Sequence, residues 1–238
     1  MKIGLASAGR PSSEHAIELL SRSRPKKRER SSVETKKRIL DAAAAEFAAK
    51  GFDGARLGSI ARAADVQQAL IHHYFADKEG LHAEVVRSGL EAMTKAAWDL
   101  LSTMDAPRAR TKQKTDVRAL ATAFVELLLS FFSTNGTFLD ILRHEARRGA
   151  QAAKIVADAI GPVFEALVTR IDAMKKRGEI RKDLDAKHFV MSCIAMVAFP
   201  FAEEPFVTAV WPADWHGEKF LRERKKQIVE MILARALP

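Results

Sequence analysis

Apolar residues recur with a helical period in three short segments near the start of the chain. The first segment begins after Ser31, a predicted N-cap residue with Glu34 three positions later, and it stops at Gly51. The second and third segments cover about residues 57–64 and 67–75 and are separated by a tight turn. This pattern predicts three helices that are connected by short turns.

A long fourth helix and several further helical segments follow. Asp77 is the predicted N-cap of the fourth helix, and its apolar stripe continues to about Thr103. We expect breaks at Gly161-Pro162 and at Pro200, because proline removes a backbone donor from a helix interior. The later predicted helices cover about residues 117–131, 138–142, 155–174, 189–197 and 220–233. No alternating pattern of useful length predicts a strand, so the expected fold class is all-α.

The composition is typical of a globular protein with a hydrophobic core. Of the 238 residues, 47% are hydrophobic, which is enough for a sizeable core. The single cysteine, Cys193, excludes a disulfide framework and a cysteine-based structural zinc site. The chain has no run of about 18 consecutive apolar residues and no N-terminal signal pattern. We therefore expect a cytoplasmic protein with no membrane partner.

The positive charge is concentrated near the N-terminus. The chain carries 39 Lys and Arg against 30 Asp and Glu, a formal net charge of +9. The stretch from Arg22 to Arg38 holds nine basic and two acidic residues, a net charge of +7. Such a stretch favours a polyanion partner, either nucleic acid or an anionic membrane, and the alternative is a solvated tail. We predict that residues 1–30 form a disordered basic N-terminal arm.

The tight turn between the second and third predicted helices indicates a helix-turn-helix, a motif that places its second helix in the major groove of DNA. Asp65 occupies the turn position where φ can be positive, a conformation that Asp tolerates better than most residues. The polar face of the third helix presents Gln67, Gln68, His72 and His73. Glutamine can form two hydrogen bonds with adenine, and an imidazole nitrogen can donate to guanine or phosphate. The predicted partner is double-stranded DNA.

The segment Glu34–Leu81 resembles the DNA-binding region of the tetracycline-repressor (TetR/AcrR) family of bacterial regulators. The resemblance rests on the order and spacing of the whole block, above all on His73–Phe75 followed by Lys78-Glu79. Two positions depart from the usual pattern of the family. Arg56 stands where Thr or Ser often caps the second helix, and Asp65 stands where glycine is usual.

The resemblance implies an N-terminal three-helix helix-turn-helix DNA-binding domain at residues 31–80 and a C-terminal helical effector-binding and dimerisation domain at 81–238. It implies base-edge contacts from the two glutamines and His72, and phosphate contacts from His73, Tyr74 and Lys78. The candidate DNA-contacting residues are Arg56, Gln67, Gln68, Ala69, His72, His73, Tyr74 and Lys78. The alternative for the two histidines is a solvated pair on an exposed helix, and adjacent residues do not share the helix face that metal chelation needs.

The C-terminal part is rich in aromatic and methionine side chains. We expect a small, largely apolar effector to bind between the fourth helix and the helices behind it, and the alternative is that these side chains simply form the core. The candidate pocket residues are Met93, Trp98, Phe124, Phe131, Phe138, Phe164 and Met196.

The family pairs two helices per subunit into a four-helix bundle, so the resemblance implies a homodimer. A two-fold dimer requires a near-palindromic operator. The segments Pro162–Arg177 and Asp185–Phe199 are apolar over wide arcs, and we predict that they form this bundle. The predicted interface residues are Val163, Leu167, Ile171 and Phe189.

Together these features predict a TetR-type repressor of near-palindromic operators that a small apolar effector releases. The alternative function is an effector-independent, nucleoid-like DNA-binding protein. An enzyme is disfavoured: His144-Glu145 begins like a metalloprotease helix, but Arg148 stands where the second histidine is required. No phosphate-binding loop or nucleophile elbow occurs, and Cys193 lies on an apolar face. We predict no cofactor and no metal site.

Overall fold

The computed structural model describes the backbone of residues 13–105 and 116–238, with side chains over 32–103, 116–149 and 153–238. This part of the chain contains ten helices and no strand, which confirms the all-α class. The helices are α1 (Ser13–Gly54), α2 (Leu57–Ala63), α3 (Gln68–Phe75), α4 (Lys78–Asp105), α5 (Val117–Thr134), α6 (Gly136–Arg148), α7 (Ala150–Lys176), α8 (Ala186–Ala202), α9 (Glu204–Val210) and α10 (Glu218–Ala236). Below, after the roles that the sequence predicts for them, residues 32–77 are called the DNA-binding head, and residues 78–238 the regulatory half.

The first helix is longer than the sequence pattern predicts. Helical backbone begins at Ser13 and runs through Ser31, so the predicted helix start at Ser31 is wrong. Lys, Arg and Glu are abundant between these two residues and favour helix almost as much as alanine does. Of the predicted arm, residues 1–12 lie outside the described part. The predicted stop at Gly51 is confirmed, because Gly51 breaks the helical backbone with φ of 66°, and α1 continues beyond this kink only as a short turn to Gly54.

The helix-turn-helix has the predicted turn. Asp65 adopts φ of 53°, as its position predicts. The backbone N–H of Val66 donates to the carbonyl of Ala61 over 3.0 Å and closes the turn. Beneath the turn, Ile60 and Ile71 are fully buried and join the two helices to the inner face of α1. Burial of these branched side chains fixes the position of α3.

α4 connects the head to the regulatory half. Its predicted N-cap is confirmed, because the Asp77 carboxylate accepts a 2.7 Å hydrogen bond from the backbone N–H of Gly80. The stripe that includes Leu81, Val86 and Leu90 is buried against the head and α6. The helix continues to Asp105, close to the predicted end.

Neither predicted proline break occurs. α7 runs without interruption through Pro162, and α8 continues through Pro200 to Ala202. Pro162 is exposed, so water can reach the carbonyl that loses its partner, while the adjacent Val163 is buried and holds the helix in place. Pro200 lies within the last turn of its helix. The short helix α9 follows it and is absent from the sequence prediction.

α5, α8 and α10 form the second core of the molecule. α5 is long and apolar enough to span a membrane by length and composition alone. In the structure its buried residues are Ala121, Val125, Leu128, Leu129 and Phe131. These five side chains pack against neighbouring helices in the cores of the molecule.

Candidate functional site

One face of α3 is buried and the other presents polar side chains. Ile71 and Phe75 pack into the core of the head. The predicted contact residues Gln67, Gln68, Ala69, His72 and His73 are all exposed. A short helix with this exposed polar surface, held by a buried apolar face, can enter the major groove of DNA.

A hydrogen bond at the end of α3 orients the ring of His72. Its Nδ1 lies 2.9 Å from the carbonyl oxygen of Ala76. Because a carbonyl only accepts, Nδ1 carries the proton and donates, so the neutral ring presents Nε2 as an acceptor. This geometry favours acceptance from the amino group of adenine or cytosine, whereas donation to guanine needs a doubly protonated ring.

Two contacts that the sequence patterns do not predict connect α1 with α3 and α4. The hydroxyl groups of Ser32 and Tyr74 lie 2.9 Å apart, so the half-buried Tyr74 holds its oxygen at the edge of the head. The Lys36 ammonium donates to the Glu84 carboxylate over 2.8 Å. This hydrogen bond holds the pKa of Glu84 below its ordinary value. The first contact fixes α1 beside α3, and the second fixes α1 beside α4.

Cationic side chains surround the end of α1. The Lys78 ammonium lies 4.7 Å from the ring centroid of Phe52 and 3.5 Å from the carbonyl oxygen of Asp53. Arg56 precedes α2 without capping it through its side chain, as expected for arginine, and its guanidinium is exposed. The Arg56 backbone N–H instead donates to Glu46 over 3.3 Å. Both cations are thus placed at the rim of the helix-turn-helix, where DNA phosphates would pass.

The regulatory half contains two apolar cavities beneath α4. One has a volume of about 80 Å³ and is lined mainly by α5, α7, α8 and α10, and the other has about 100 Å³ and is lined by α4, α5, α7 and α8. They share Leu100, Phe124 and Leu167 in their walls, so three side chains separate them. Below we call them the inner pair of cavities.

The predicted pocket residues fall into three groups. Met93, Phe124 and Phe164 line the 100 Å³ cavity. Phe131 and Phe138 instead pack edge to face in the core around α4 and α6, 6.0 Å between ring centroids, and line neither of the two cavities. Trp98 is exposed, and Met196 lines a separate groove between α8 and α10 (the groove also contains His188 and Arg235). The helical period places all of these on apolar stripes, but it does not say which stripe borders a cavity.

The predicted dimer residues lie inside the subunit. Val163 is buried, and Leu167, Ile171 and Phe189 are half-buried side chains that line the inner pair of cavities. The outward face of α8 instead exposes Met191 and Phe199, 56% and 58% exposed. Within the subunit, α7 packs between α4 and α8. The dimer interface at these four residues stays a prediction.

The thiol of Cys193 is buried in the regulatory half. Burial raises the pKa of the Cys193 thiol to about 12, so it stays protonated at neutral pH. Among the described residues, no three His, Cys, Asp or Glu side chains come together in a way that could hold a metal ion. The buried polar side chains His82 and Glu145 form a pair between α4 and α6 that the sequence patterns do not predict. The sequence signal that could have indicated this pair is one His and one Glu, each on the apolar stripe of its helix.

These features define a two-part, all-helical DNA-binding protein: a helix-turn-helix head joined by a long helix to a half with apolar cavities. Comparison with known families agrees. Residues 39–85 match the family model described as bacterial regulatory proteins of the tetR family, and residues 117–232 match the tetracyclin repressor-like C-terminal domain. The chain therefore belongs to the TetR family of transcriptional regulators.

The following relatives are distant in sequence, and each is matched over most of its length. "Probable HTH-type transcriptional regulator YttP" of Bacillus subtilis is 22% identical over 193 residues, 80% of this chain and 88% of YttP. FadR from Bacillus subtilis, solved in complex with stearoyl-CoA, has a TM-score of 0.63 at 15% identity and covers 83% of this chain and 97% of its own. The ketosteroid transcriptional regulator KstR2 of Mycobacterium tuberculosis has a TM-score of 0.57 at 17% identity, over 85% and 95%. At such identities the two structures show a shared fold.

Proposed function

We propose that this TetR-family regulator is a homodimeric repressor that binds near-palindromic operators and is released by an apolar effector. The observation that carries the proposal is the joint presence of an exposed polar α3 and the inner pair of cavities, with α4 running from the end of the helix-turn-helix to the cavity wall. A binder without an effector would have no use for poorly filled space in its larger half.

On DNA, the candidate contact residues of α3 and of the neighbouring helix ends divide into two roles. Gln67 and Gln68 reach base edges, where an amide can bond adenine in a bidentate manner, and the oriented Nε2 of His72 accepts from adenine or cytosine. Lys78 and Arg56 contact phosphates, which adds affinity without sequence preference. Tyr74 adds its hydroxyl at the edge of the head, and His73 and Ala69 complete the contact surface.

The effector occupies the inner pair of cavities after local rearrangement of their shared wall. Each cavity alone is far below the roughly 300–1,000 Å³ typical of ligand pockets, so Phe124 and Leu167 must move to join them. The walls are almost wholly apolar side chains, which favours an apolar ligand. FadR, which has this fold and was solved with stearoyl-CoA, supports an acyl-type candidate.

The homodimer forms through the outward faces of α8 and α10. Met191 and Phe199 on α8 and Met231 on α10 are large apolar side chains with at least 45% exposure. The two helices pack beside each other, so together with their symmetry mates they make a four-helix bundle. A two-fold axis through this bundle directs the two α3 helices to successive major grooves.

Selection from a random duplex library, followed by fluorescence anisotropy on the winning sequence and its scrambled version, tests the DNA part. We expect the selected palindrome to bind at least about 1,000-fold more tightly than the scrambled duplex. Equal binding of the two duplexes would support the nucleoid-like alternative instead.

Titration of the operator complex with stearoyl-CoA, stearate and butyrate tests the effector part. The long-chain compounds should release DNA, with butyrate as the control that is too short to fill both cavities. Stronger operator binding on addition of stearoyl-CoA or stearate would exclude the repressor-release mechanism.

A further inference from the structure

α6 lies across the end of the helix that leads into the helix-turn-helix. In its last turn, the His144 Nε2 donates to the Ala48 carbonyl over 3.2 Å. A Cβ at Gly51 would lie 3.0 Å from the Nδ1 of His144, so the ring packs directly on this left-handed glycine. The Arg148 guanidinium lies 3.8 Å from the ring centroid of Phe52. These contacts fix the end of α1 on α6.

The same turn of α6 also holds the first turn of α4, which leads out of the helix-turn-helix. The His82 Nε2 lies 3.2 Å from the Glu145 carboxylate, and both side chains are only 3% exposed. Arg148 donates to both oxygens of that carboxylate, over 3.0 and 3.2 Å. The rings of Phe47 and Phe52 close over His82 edge to face, at 4.7 and 5.2 Å. One buried carboxylate thus joins α4 to α6, with its charge paired by Arg148.

The protonation state of His82 agrees with this arrangement. Burial lowers the pKa of His82, although Glu145 opposes the shift. A neutral ring donates its Nε2 proton to Glu145 and leaves the carboxylate charge for Arg148.

A second contact, seven residues away on both helices, fixes the register of α4 and α6. The ring of Phe138 packs directly against Gly89: a Cβ at Gly89 would be 2.3 Å from Cε2 of Phe138. The pairs 82/145 and 89/138 have the same residue-number sum, so the two helices run antiparallel in one register over about two turns. α6 therefore holds the start of α4 through two contacts: the His82–Glu145 hydrogen bond and the packing of Phe138 on Gly89.

The opposite side of α6 is joined to the regulatory half. Leu139 is buried in the second core with α5, α8 and α10. The Arg143 Nε donates to the carbonyl of Ala202 at the end of α8 over 2.8 Å. α6 is thus bound to both ends of the helix-turn-helix on one side and to the helices that line the cavities on the other.

We propose that Glu145 and Gly89 are positioning residues for operator recognition: through α6 they fix the angle of the head, and in the dimer they set the distance between the two α3 helices. The proposal rests on the proposed function of an operator-binding dimer. It predicts that changes at these two residues alter which half-site spacing the protein accepts, although neither residue touches DNA.

The first test uses Glu145→Gln, which keeps the shape of the side chain and removes its charge. The probes are the duplex selected by the wild-type protein and versions with one or two base pairs inserted or removed between the half-sites. Wild type should discriminate strongly among these duplexes, and Glu145→Gln should lose about tenfold of that discrimination. Affinity for an isolated half-site should stay within about twofold, because α3 itself is unchanged.

The matched control is Asp158→Asn on α7, which also removes one carboxylate charge and breaks only the exposed ion pair with Lys154. This control should keep the wild-type spacing preference. Unchanged spacing preference in Glu145→Gln, with a normal thermal unfolding curve, overturns the proposal. If wild type selects no palindrome, the proposed function fails first, and the two failures are therefore distinguishable.

The second test uses Gly89→Ala, whose added methyl group must displace the Phe138 ring. Gly136→Ala is its control, since a Cβ there meets nothing within 4 Å. Gly89→Ala should change the preferred spacing and Gly136→Ala should not. If neither Glu145→Gln nor Gly89→Ala folds, hydrogen exchange of wild type decides. Operator binding should slow exchange at residues 144–148 more than in α10, and equal protection of the two regions overturns the proposal.

Discussion

The DNA-binding head and the regulatory half use their apolar residues in different ways. In the head, Ile39, Ala43 and Ile60 are completely buried, and polar side chains cover the outside of α3. In the regulatory half, apolar side chains border cavities or remain exposed, as Leu167 and Phe199 do. A filled core gives one fixed reading surface, whereas unfilled and uncovered apolar surface is available to bind something else. This difference in packing fits a head that recognises DNA and a second half that binds an effector and a partner subunit.

The largest expected effect comes from a substitution at the proposed dimer interface of the regulatory half. Met191→Asp places a charge on the exposed face of α8 and should convert the dimer to a monomer. Since two linked heads gain avidity, operator affinity should fall by about 100- to 10,000-fold. Sedimentation velocity and anisotropy on the selected operator measure the two effects.

Thr169→Asp on the exposed side of α7 is the control for this substitution. It should remain dimeric and bind normally. A monomeric Thr169→Asp together with a dimeric Met191→Asp would place the interface on α7 instead.

A second prediction concerns the electrostatic share of binding. Deletion of residues 1–30 removes six of the nine basic residues between Arg22 and Arg38. If about four of these contact phosphates, the slope of log affinity against log salt should fall by roughly 3.6 per subunit. Lys154→Ala, on the surface of α7, should leave the slope unchanged. An unaltered slope after the deletion would show that the basic stretch makes no contact with DNA.

A third prediction distinguishes base recognition from phosphate contact within the head. Gln68→Ala should relax the preference at one base pair per half-site by about 1–3 kcal/mol. Lys78→Ala should weaken specific and non-specific binding equally, because the DNA contact proposed for Lys78 is to a phosphate and not to a base. Competition binding on single-base variants of the operator measures both. A change of base preference in Lys78→Ala would reverse the assigned roles.

The smallest expected effect comes from making the same substitution in both regions. Ala43→Leu adds bulk to a filled core and should lower the free energy of unfolding by about 1–3 kcal/mol. Ala121→Leu adds the same bulk beside the 80 Å³ cavity and should cost less than about 1 kcal/mol, because the space exists. Urea denaturation compares the two variants with wild type. Equal destabilisation would mean that the two cores are packed alike.

Local chemistry made much of the head predictable. The positive φ of Asp65, the stop at Gly51 and the cap at Asp77 each follow from a property of one residue, and the structure confirms all three. Pro162 shows where the local rule fails, since tertiary packing of its neighbours keeps α7 intact.

For the regulatory half, the sequence predicts apolar helices but not which side chains line a cavity and which fill the core. Phe124 and Phe138 carry the same apolar signal, yet the first lines both inner cavities and the second fills the core against Gly89. Ile171 lies on an apolar arc that the sequence cannot assign to a neighbour in the same subunit or in another. These choices depend on long-range packing, and periodicity along one helix contains no information about it.

The position of Cys193 makes its thiol a probe of motion in the regulatory half. The thiol lines the 80 Å³ cavity on one side and the groove between α8 and α10 on the other, and it is the single cysteine of the chain. Its raised pKa and its burial make alkylation slow unless the wall opens. The rate of alkylation of Cys193 therefore reports how often that wall opens. A compound that fills the cavity should lower this rate, so the thiol can detect effector binding without knowledge of the effector or of its effect on DNA.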